Sequence, residues 1–123
     1  MISIDSYGWI ERFTNGPKAP QYNKIVESCE PKDIVTSIVV ILEVYKKIKN
    51  LKGEEEALLA VAALSQTTIV SVDQTIALEA ADYSLEKNLH FSDALVYATS
   101  RHFKVKLYTS HNDLRELNSV CFI

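Results

Sequence analysis

Four acidic side chains are placed where they could hold a metal ion together, although they come from distant parts of the sequence. They follow predicted strands or lie in predicted helices, and they are Asp5, Glu43, Asp93 and Asp113. Clustered carboxylates raise one another's pKa unless a cation is present, and carboxylate oxygens are ligands that suit Mg²⁺ or Mn²⁺. An ion held in this way polarises phosphoryl oxygens and activates water for attack on them.

Each acid taken alone also has a simpler structural explanation. Asp5 and Asp113 can cap the turns that they begin. Glu43 can pair with Lys47 one helical turn later, and Asp93 can simply favour the positive end of a helix dipole. Only the combination of the four acids favours a shared site.

Asp93 belongs to a stretch that predicts a buried helix. Ser92 is a good N-cap residue, so the helix is expected to begin there with Asp93 in its first turn, where unpaired backbone N–H groups favour a negative charge. One side of this helix is apolar and is expected to pack into a core; its members are Leu95, Val96, Ala98, Thr99 and Phe103.

Predicted strands and helices alternate along the chain. The strands are expected at residues 2–4, 34–36, 67–72 and 105–109, with a short candidate at 120–122. The helices are expected at residues 6–13, 20–30, 38–49, 54–65, 74–87 and 92–103. The strands are continuously apolar, which is typical of a parallel sheet covered on both faces. The sequence therefore predicts an α/β sandwich that binds ligands beyond the carboxyl ends of its central strands.

Two of these elements carry more specific expectations. The third helix, which Ser37 can cap, has a predicted inward stripe formed by Ile38, Ile41, Leu42, Tyr45 and Ile48. The third strand is expected at the sheet edge, so that Asp73 after it caps the next helix and lies away from the crevice.

Composition limits the classes of protein that the chain can represent. Its 123 residues, of which 47% are hydrophobic, suit one domain over residues 1–123. We expect a cytoplasmic protein with reduced thiols, because the first residues do not resemble a signal peptide, no apolar run reaches the ~20 residues of a membrane span, and only Cys29 and Cys121 are present. The net charge of −3 argues against a broadly basic nucleic-acid binder.

Local basic patches remain compatible with that net charge. The candidates for phosphate contact, which can equally be ordinary solvated surface, are Lys46, Lys47, Lys49, Lys52, Arg101, Lys104 and Lys106. The aromatic side chains of Tyr7, Trp9 and Tyr45 can stack on bases or pack in the core.

Four segments, taken in order, resemble the motifs of the PIN domain, with VapC toxins of VapBC toxin–antitoxin pairs as the nearest likeness. The segments are Ile4-Asp5-Ser6-Tyr7-Gly8-Trp9-Ile10-Glu11, Leu42-Glu43-Val44-Tyr45, Phe91-Ser92-Asp93-Ala94-Leu95-Val96-Tyr97-Ala98 and Leu107-Tyr108-Thr109-Ser110-His111-Asn112-Asp113-Leu114. Each motif alone is weak, but the ordered set spans almost the whole chain and is fairly specific.

The resemblance implies a three-layer α/β/α sandwich and a Mg²⁺- or Mn²⁺-dependent endoribonuclease, a hydrolase of RNA phosphodiesters. It implies that Asp5, Glu43 and Asp93 hold the metal, with a fourth acid after the fourth strand. It also implies a homodimer and a VapB-like antitoxin as partner, with no membrane association. Which RNA is cut stays open at this point.

One position departs from the family pattern. The last motif resembles Thr-x-Asp-x-Asp-Phe, and here His111 stands in place of the first acid and Asp113 in place of the second. Asp113 is therefore the candidate fourth ligand, and the number of metal ions is open, because a neutral imidazole binds metals without supplying negative charge. Thr109 or Ser110 is a candidate for hydrogen bonding to a carboxylate or a metal-bound water.

Three alternative functions can be compared with this pattern. A non-catalytic PIN-like module that binds RNA or protein is the main competitor, with His111 as the mark of a lost site. A phosphoacceptor receiver domain needs adjacent acids after the first strand, and an Asp-x-Asp phosphatase needs a second acid at position 7. Ser6 and Tyr7 follow Asp5 here, which excludes both.

Overall fold

Five short strands form one parallel sheet in the computed structural model, which describes all of residues 1–123. They are β1 (Ile2–Ile4), β2 (Ile34–Ser37), β3 (Thr68–Val70), β4 (Lys106–Thr109) and β5 (Val120–Phe122). Their order across the sheet is β3-β2-β1-β4-β5, and every neighbouring pair is parallel. The predicted parallel sheet is confirmed, including its short fifth strand.

Six helices cover the two faces of this sheet. They are α1 (Ser6–Thr14), α2 (Ala19–Glu27), α3 (Ile38–Lys52), α4 (Glu54–Leu64), α5 (Gln74–Lys87) and α6 (Phe91–His102). α1 packs against α2 and α3, and α3 packs against α4, whereas α5 packs against α6. With right-handed crossovers, this grouping gives the predicted three-layer α/β/α sandwich. None of these helices is both long and apolar enough to cross a membrane.

The direction of winding reverses between β1 and β4. The chain steps outward from β1 to β2 and β3, and then returns across the sheet to β4 on the other side of β1. The two strands are held in register at Ile4 and Tyr108, and the backbone N–H of Asp5 extends the pairing by donating to the Tyr108 carbonyl at 3.1 Å. The carboxyl ends of β1 and β4 therefore flank the crevice in which ligands of open parallel sheets bind.

The edge position expected for β3 is confirmed. β3 pairs only with β2, and the Asp73 side chain after it accepts a hydrogen bond from the Ile76 N–H at 2.9 Å. Asp73 is thus the N-cap of α5, far along the sheet from the crevice.

The predicted inward stripe of α3 is wrong at two of its positions. Val40, Val44 and Ile48 are the buried residues of this helix, whereas Ile38 and Leu42 are 42% and 64% exposed. The first eight residues of α3 are apolar apart from Glu43, so their periodicity did not distinguish one stripe from its neighbour. Because the valine stripe is the buried one, Leu42 and Glu43 lie on the open side of the helix.

The predicted start of α6 is also wrong, because the N-cap lies two residues before Ser92. His90 is the N-cap, and its side chain makes no capping hydrogen bond. The first turn is instead held by the backbone N–H of Ala94, which donates to the His90 carbonyl oxygen at 2.9 Å. Ser92 is therefore inside the first turn, together with Asp93 as expected. At the other end, Phe103 follows the helix and is 43% exposed, so it does not extend the buried side.

Four other elements are shorter than predicted, and one of them, α4, ends at Leu64 instead of residue 65. α2 ends at Glu27, three residues earlier than expected, where the Ser28 hydroxyl donates to the Ile25 carbonyl, and Pro31 instead begins a 3₁₀ turn. β3 occupies residues 68–70 of the predicted 67–72, and β4 begins at Lys106. None of these differences displaces a candidate site residue.

Candidate active site

Asp5 is a buried carboxylate at the end of β1, with 6% of its surface exposed. As the N-cap of α1 it accepts a hydrogen bond from the Gly8 N–H at 3.2 Å through Oδ1, and Oδ2 accepts one from the Thr109 hydroxyl. Burial raises the pKa of Asp5 to about 6, although these two hydrogen bonds oppose the shift. The charged form of Asp5 is therefore poorly hydrated.

Thr109 connects Asp5 to the segment after β4. Its hydroxyl donates to Asp5 and also accepts a hydrogen bond from the His111 backbone N–H at 3.0 Å. The expected hydroxyl partner of a carboxylate is therefore Thr109. Ser110 instead contacts the Tyr22 hydroxyl at 2.7 Å.

Glu43 extends from α3 toward the same end of the sheet and is half-buried. Burial raises its pKa, the Ser6 hydroxyl opposes the shift, and the charge of Asp93 adds to it. Glu43 therefore lies within electrostatic reach of Asp93 despite the 50 positions between them in sequence.

Asp93 is the carboxylate that interacts with the other three. Burial raises its pKa, His111 lowers it, and Asp113 raises it again. The charge of Asp93 in turn raises the pKa of both Asp5 and Glu43. The start of α6 thus lies at the centre of the acidic group.

The tightest set of possible ligand atoms includes a residue that the sequence-based prediction left out of the metal site. One side-chain atom each from Asp93, His111 and Asp113 lies within 4.8 Å of the others. Nδ1 of His111 is 3.4 Å from Oδ2 of Asp93, is shielded from solvent and has no hydrogen-bond partner. Asp5 and Glu43 lie outside this tight set. The motif alignment indicated His111 as a departure, but its proximity to Asp93 required the fold.

No lysine or arginine forms an ion pair with any of the four candidate acids. The ion pairs of the structure join Lys49 to Glu54, His102 to Glu79 and His111 to Asp93. Carboxylates that no lysine or arginine neutralises, together with a buried imidazole nitrogen that makes no hydrogen bond, are chemically suited to a divalent cation. Asp5, Glu43, Asp93, His111 and Asp113 are the residues that could hold one.

A groove of about 1110 Å³ begins at Glu43 and runs along α3. Its lining residues are Ser6, Ile10, Val39, Leu42, Glu43, Tyr45, Lys46, Lys47, Lys49, Asn50, Phe91 and Ser92. Three of the four candidate lysines of α3 therefore line it, and Lys52 does not. Phe91, which is 77% exposed, lies in the same groove two residues from Asp93.

Solved structures of toxin–antitoxin systems share this fold. A toxin–antitoxin complex from Klebsiella pneumoniae has a TM-score of 0.82 at 24% identity, covering 98% of this chain and 96% of its own. VapC20 of Mycobacterium tuberculosis, a toxin that cleaves the sarcin–ricin loop, has a TM-score of 0.83 at 18% identity, covering 98% and 97%. VapBC2 of Rickettsia felis, bound to a promoter DNA fragment, has a TM-score of 0.78 at 15% identity, covering 100% and 98%.

Sequence comparison gives the family. No curated protein sequence matches the chain significantly. The sequence model of the PIN domain matches residues 4–120, a segment that begins beside Asp5 and includes all four candidate acids. The chain therefore belongs to the PIN domain family.

Proposed function

We propose that the chain is a metal-dependent endoribonuclease that hydrolyses RNA phosphodiester bonds and serves as the toxin of a VapBC-type pair. The observation that carries the proposal is the grouping of Asp5, Glu43 and Asp113 around Asp93, with no lysine or arginine paired to any of them, at the reversal point of a PIN-family sheet. The likeness to VapC20, a toxin that cleaves the sarcin–ricin loop, supports the choice of substrate.

In this proposal Asp5, Glu43 and Asp93 hold Mg²⁺ or Mn²⁺, and Asp113 supplies the fourth carboxylate. When bound, the ion polarises the phosphoryl group and activates water for attack on phosphorus. Gly8 and Thr109 fix the orientation of Asp5 by donating to its two oxygens. Their hydrogen bonds also stabilise its charged form in a buried place, so that it is available as an anion near neutral pH.

The groove beside Glu43 is the proposed path of the RNA. Lys46 and Lys47 supply positive charge for phosphates, and neither forms an ion pair within the chain. Phe91 and Tyr45 offer aromatic surface on which unpaired bases can stack. Because the groove begins at Glu43, an RNA strand lying in it would pass directly beside the carboxylates.

A VapB-like antitoxin is the proposed protein partner, and a homodimer is the proposed assembly. The fold shared with toxin–antitoxin complexes supports the antitoxin, and the homodimer follows from the resemblance to the VapC toxins alone. Co-purification with the product of an adjoining reading frame, and light scattering of the isolated chain, test them separately. Absence of such a partner gene would favour a general RNA-processing role in place of a toxin.

The decisive experiment is cleavage of a mixed, structured RNA by purified protein in Mg²⁺, in Mn²⁺ and in EDTA. Asp5→Asn and Asp93→Asn should abolish cutting, since each removes a charge from the proposed ion site. Asp73→Asn is the matched control, because Asp73 is also an aspartate that caps a helix but lies at the sheet edge. Cleavage that persists in EDTA or in both site variants would contradict the proposal and indicate a contaminating nuclease.

A second candidate function is a non-catalytic PIN-like module that binds RNA or protein. The observation that favours it is His111 in the position of a family acid, 3.4 Å from Asp93, where a protonated imidazole would take the place of a cation. This function predicts an inert wild type in which calorimetry detects no divalent metal binding, while binding to RNA or to a protein partner persists.

A further inference from the structure

We infer that Asp93, His111 and Asp113 form a mixed nitrogen–oxygen site that selects a transition-metal ion, such as Mn²⁺ or Co²⁺, over Mg²⁺. This inference rests on the proposed function and deepens it, since Asp93 and Asp113 belong to both sets of proposed ligands and His111 decides which class of ion they would hold. It concerns metal binding itself and can therefore be tested without nuclease activity.

The spacing of the three side chains is that of ligands to one ion. Their donor atoms lie within 4.8 Å of one another, and Nδ1 of His111 is 3.4 Å from Oδ2 of Asp93. Two ligands each about 2.1 Å from a tetrahedral metal are themselves about 3.4 Å apart, and cis ligands of an octahedral ion are about 3.0 Å apart. An ion could therefore be bound with little movement of His111 or Asp93.

The surroundings of Nδ1 of His111 suit a metal ligand better than a hydrogen-bonding group. The ring as a whole is half-buried, but this nitrogen is shielded from solvent and has no hydrogen-bond partner, even though a carboxylate oxygen is close by. The backbone of the same residue is fixed by its N–H bond to Thr109 at 3.0 Å. A buried nitrogen without a partner is costly, and a metal ion would satisfy it.

The donor set decides which ion is favoured. Mg²⁺ prefers oxygen ligands, gives up its waters reluctantly and depends on carboxylate charge for affinity. Two carboxylates and a neutral imidazole supply one negative charge fewer than three carboxylates. Imidazole nitrogen is a good ligand for first-row transition metals, whose affinity for such sites rises from Mn²⁺ to Co²⁺ and beyond.

The test is metal binding by the purified full-length chain, with Mn²⁺, Co²⁺ and Mg²⁺ titrated separately by calorimetry. The inference expects Co²⁺ and Mn²⁺ to bind at least about tenfold more tightly than Mg²⁺. Pulsed electron paramagnetic resonance of the Mn²⁺ complex should show coupling to a nitrogen-14 nucleus of the ring. His111→Asp should remove that coupling and lower the preference for Co²⁺ over Mg²⁺ by about tenfold or more.

Two further variants keep the result interpretable. His111→Asn places a neutral oxygen donor of similar size at this position and should also lose the nitrogen-14 coupling. The conclusion then does not depend on whether His111→Asp folds correctly. His102→Gln is the control, because His102 is at the far end of α6 and contacts Glu79 at 3.2 Å. It should leave the spectrum and the affinities unchanged.

The failures of the two hypotheses can be distinguished. Mn²⁺ binding without nitrogen coupling, combined with metal-dependent cleavage in all His111 variants, would overturn this inference and leave the proposed ribonuclease in place. Absence of any metal binding, combined with inert protein, would overturn both hypotheses and favour the non-catalytic module.

Discussion

The hydroxyl of Thr109 donates a hydrogen bond to the carboxylate of Asp5, joining the ends of β4 and β1 across 104 positions of sequence. Both side chains are buried, so this bond is a principal support of the charged form of Asp5 in a poorly hydrated place. The reversal of winding between the two strands is what brings these residues together.

Replacing Thr109 by valine should weaken metal binding in a pH-dependent way. The variant keeps the shape of the side chain but removes a hydrogen bond that lowers the pKa of Asp5, so that this pKa rises further above about 6. Protons then compete better with the metal near neutral pH, and we expect about tenfold weaker Mn²⁺ binding with an upward shift of the pH profile of cleavage. Titration of Mn²⁺ between about pH 5 and about pH 8 measures the effect.

Thr109→Ser is the matched control for this change, because it restores the hydroxyl while losing only a methyl group. It should return the pH profile to that of the wild type. A Thr109→Val profile that coincides with the wild type would show that the hydroxyl has no influence on ionisation of the site.

Asp5→Asn should stabilise the fold at neutral pH when divalent ions are removed by a chelator. The pKa of Asp5 is raised from 3.8 to about 6 on folding, so the folded state binds more protons in this interval and stability falls as the pH rises through it. Above about pH 6 the penalty for the charged side chain is complete and is on the order of 3 kcal/mol. Asparagine keeps a cap acceptor for Gly8 without that charge.

Urea unfolding at about pH 4 and about pH 7.5 measures this effect. The difference between Asp5→Asn and the wild type should be small at the lower pH and large at the higher one. Asp73→Asn, which replaces the exposed cap of α5 at the sheet edge, is the matched control for the loss of a cap carboxylate. A loss of stability of Asp5→Asn at neutral pH in chelator would contradict the assignment of a destabilising buried charge.

Gly8→Ala should destabilise the protein even though alanine favours helices. A Cβ atom at position 8 would lie 2.7 Å from Cγ2 of Ile4 and would collide with the ring of Tyr22. Since Tyr22 is fully buried, α1 must shift, and overpacking of this kind costs about 1–3 kcal/mol. The shift would also move the N–H that binds Asp5, so RNA cleavage should decline along with stability in urea unfolding. Increased stability, as expected for alanine at an open helical position, would contradict the close packing of α1 against Tyr22.

The sequence was sufficient for the parts of this fold that depend on local patterns. Uninterrupted β-branched runs such as residues 34–36 are typical of buried parallel strands, and turn residues separated the strands from the helices, so the α/β/α sandwich and its edge strand were predicted correctly. Asp93 was correctly assigned to a first helical turn, since an acid there is favoured wherever the cap lies within a residue or two.

The parts that failed depend on tertiary contacts. The start of α3 is so uniformly apolar that only packing decides which stripe is buried, and the valines at 40 and 44 are buried where Ile38 and Leu42 were expected. The short distance between His111 and Asp93 joins two residues 18 positions apart, and no local pattern encodes that distance. The roles of Asp5, Glu43, Asp93 and Asp113 as metal ligands stay predictions.

Lys46→Ala and Lys47→Ala should each weaken RNA binding and reduce its salt dependence. Both lysines line the groove beside Glu43, and removing a lysine that binds one phosphate should lower the slope of log affinity against log salt by about 0.7–1. Lys52→Ala is the matched control, since Lys52 is on the same helix but does not line the groove. Fluorescence anisotropy with a labelled single-stranded RNA in EDTA, over a series of salt concentrations, measures binding without cleavage. Equal slopes for the lysine variants and the control would contradict an RNA path along α3.

Phe91→Ala should lower RNA affinity without lowering stability. The ring is 77% exposed, so its removal leaves no cavity, whereas removing one base-stacking interaction costs about 1–3 kcal/mol of binding free energy, or about 5-fold to about 150-fold in affinity. Leu85→Ala is the control, because Leu85 is 85% exposed on α5 and lies outside the groove. If Phe91→Ala retains full RNA affinity but does not bind the antitoxin, the groove would accept a protein segment, and the RNA would have to reach the carboxylates by another route.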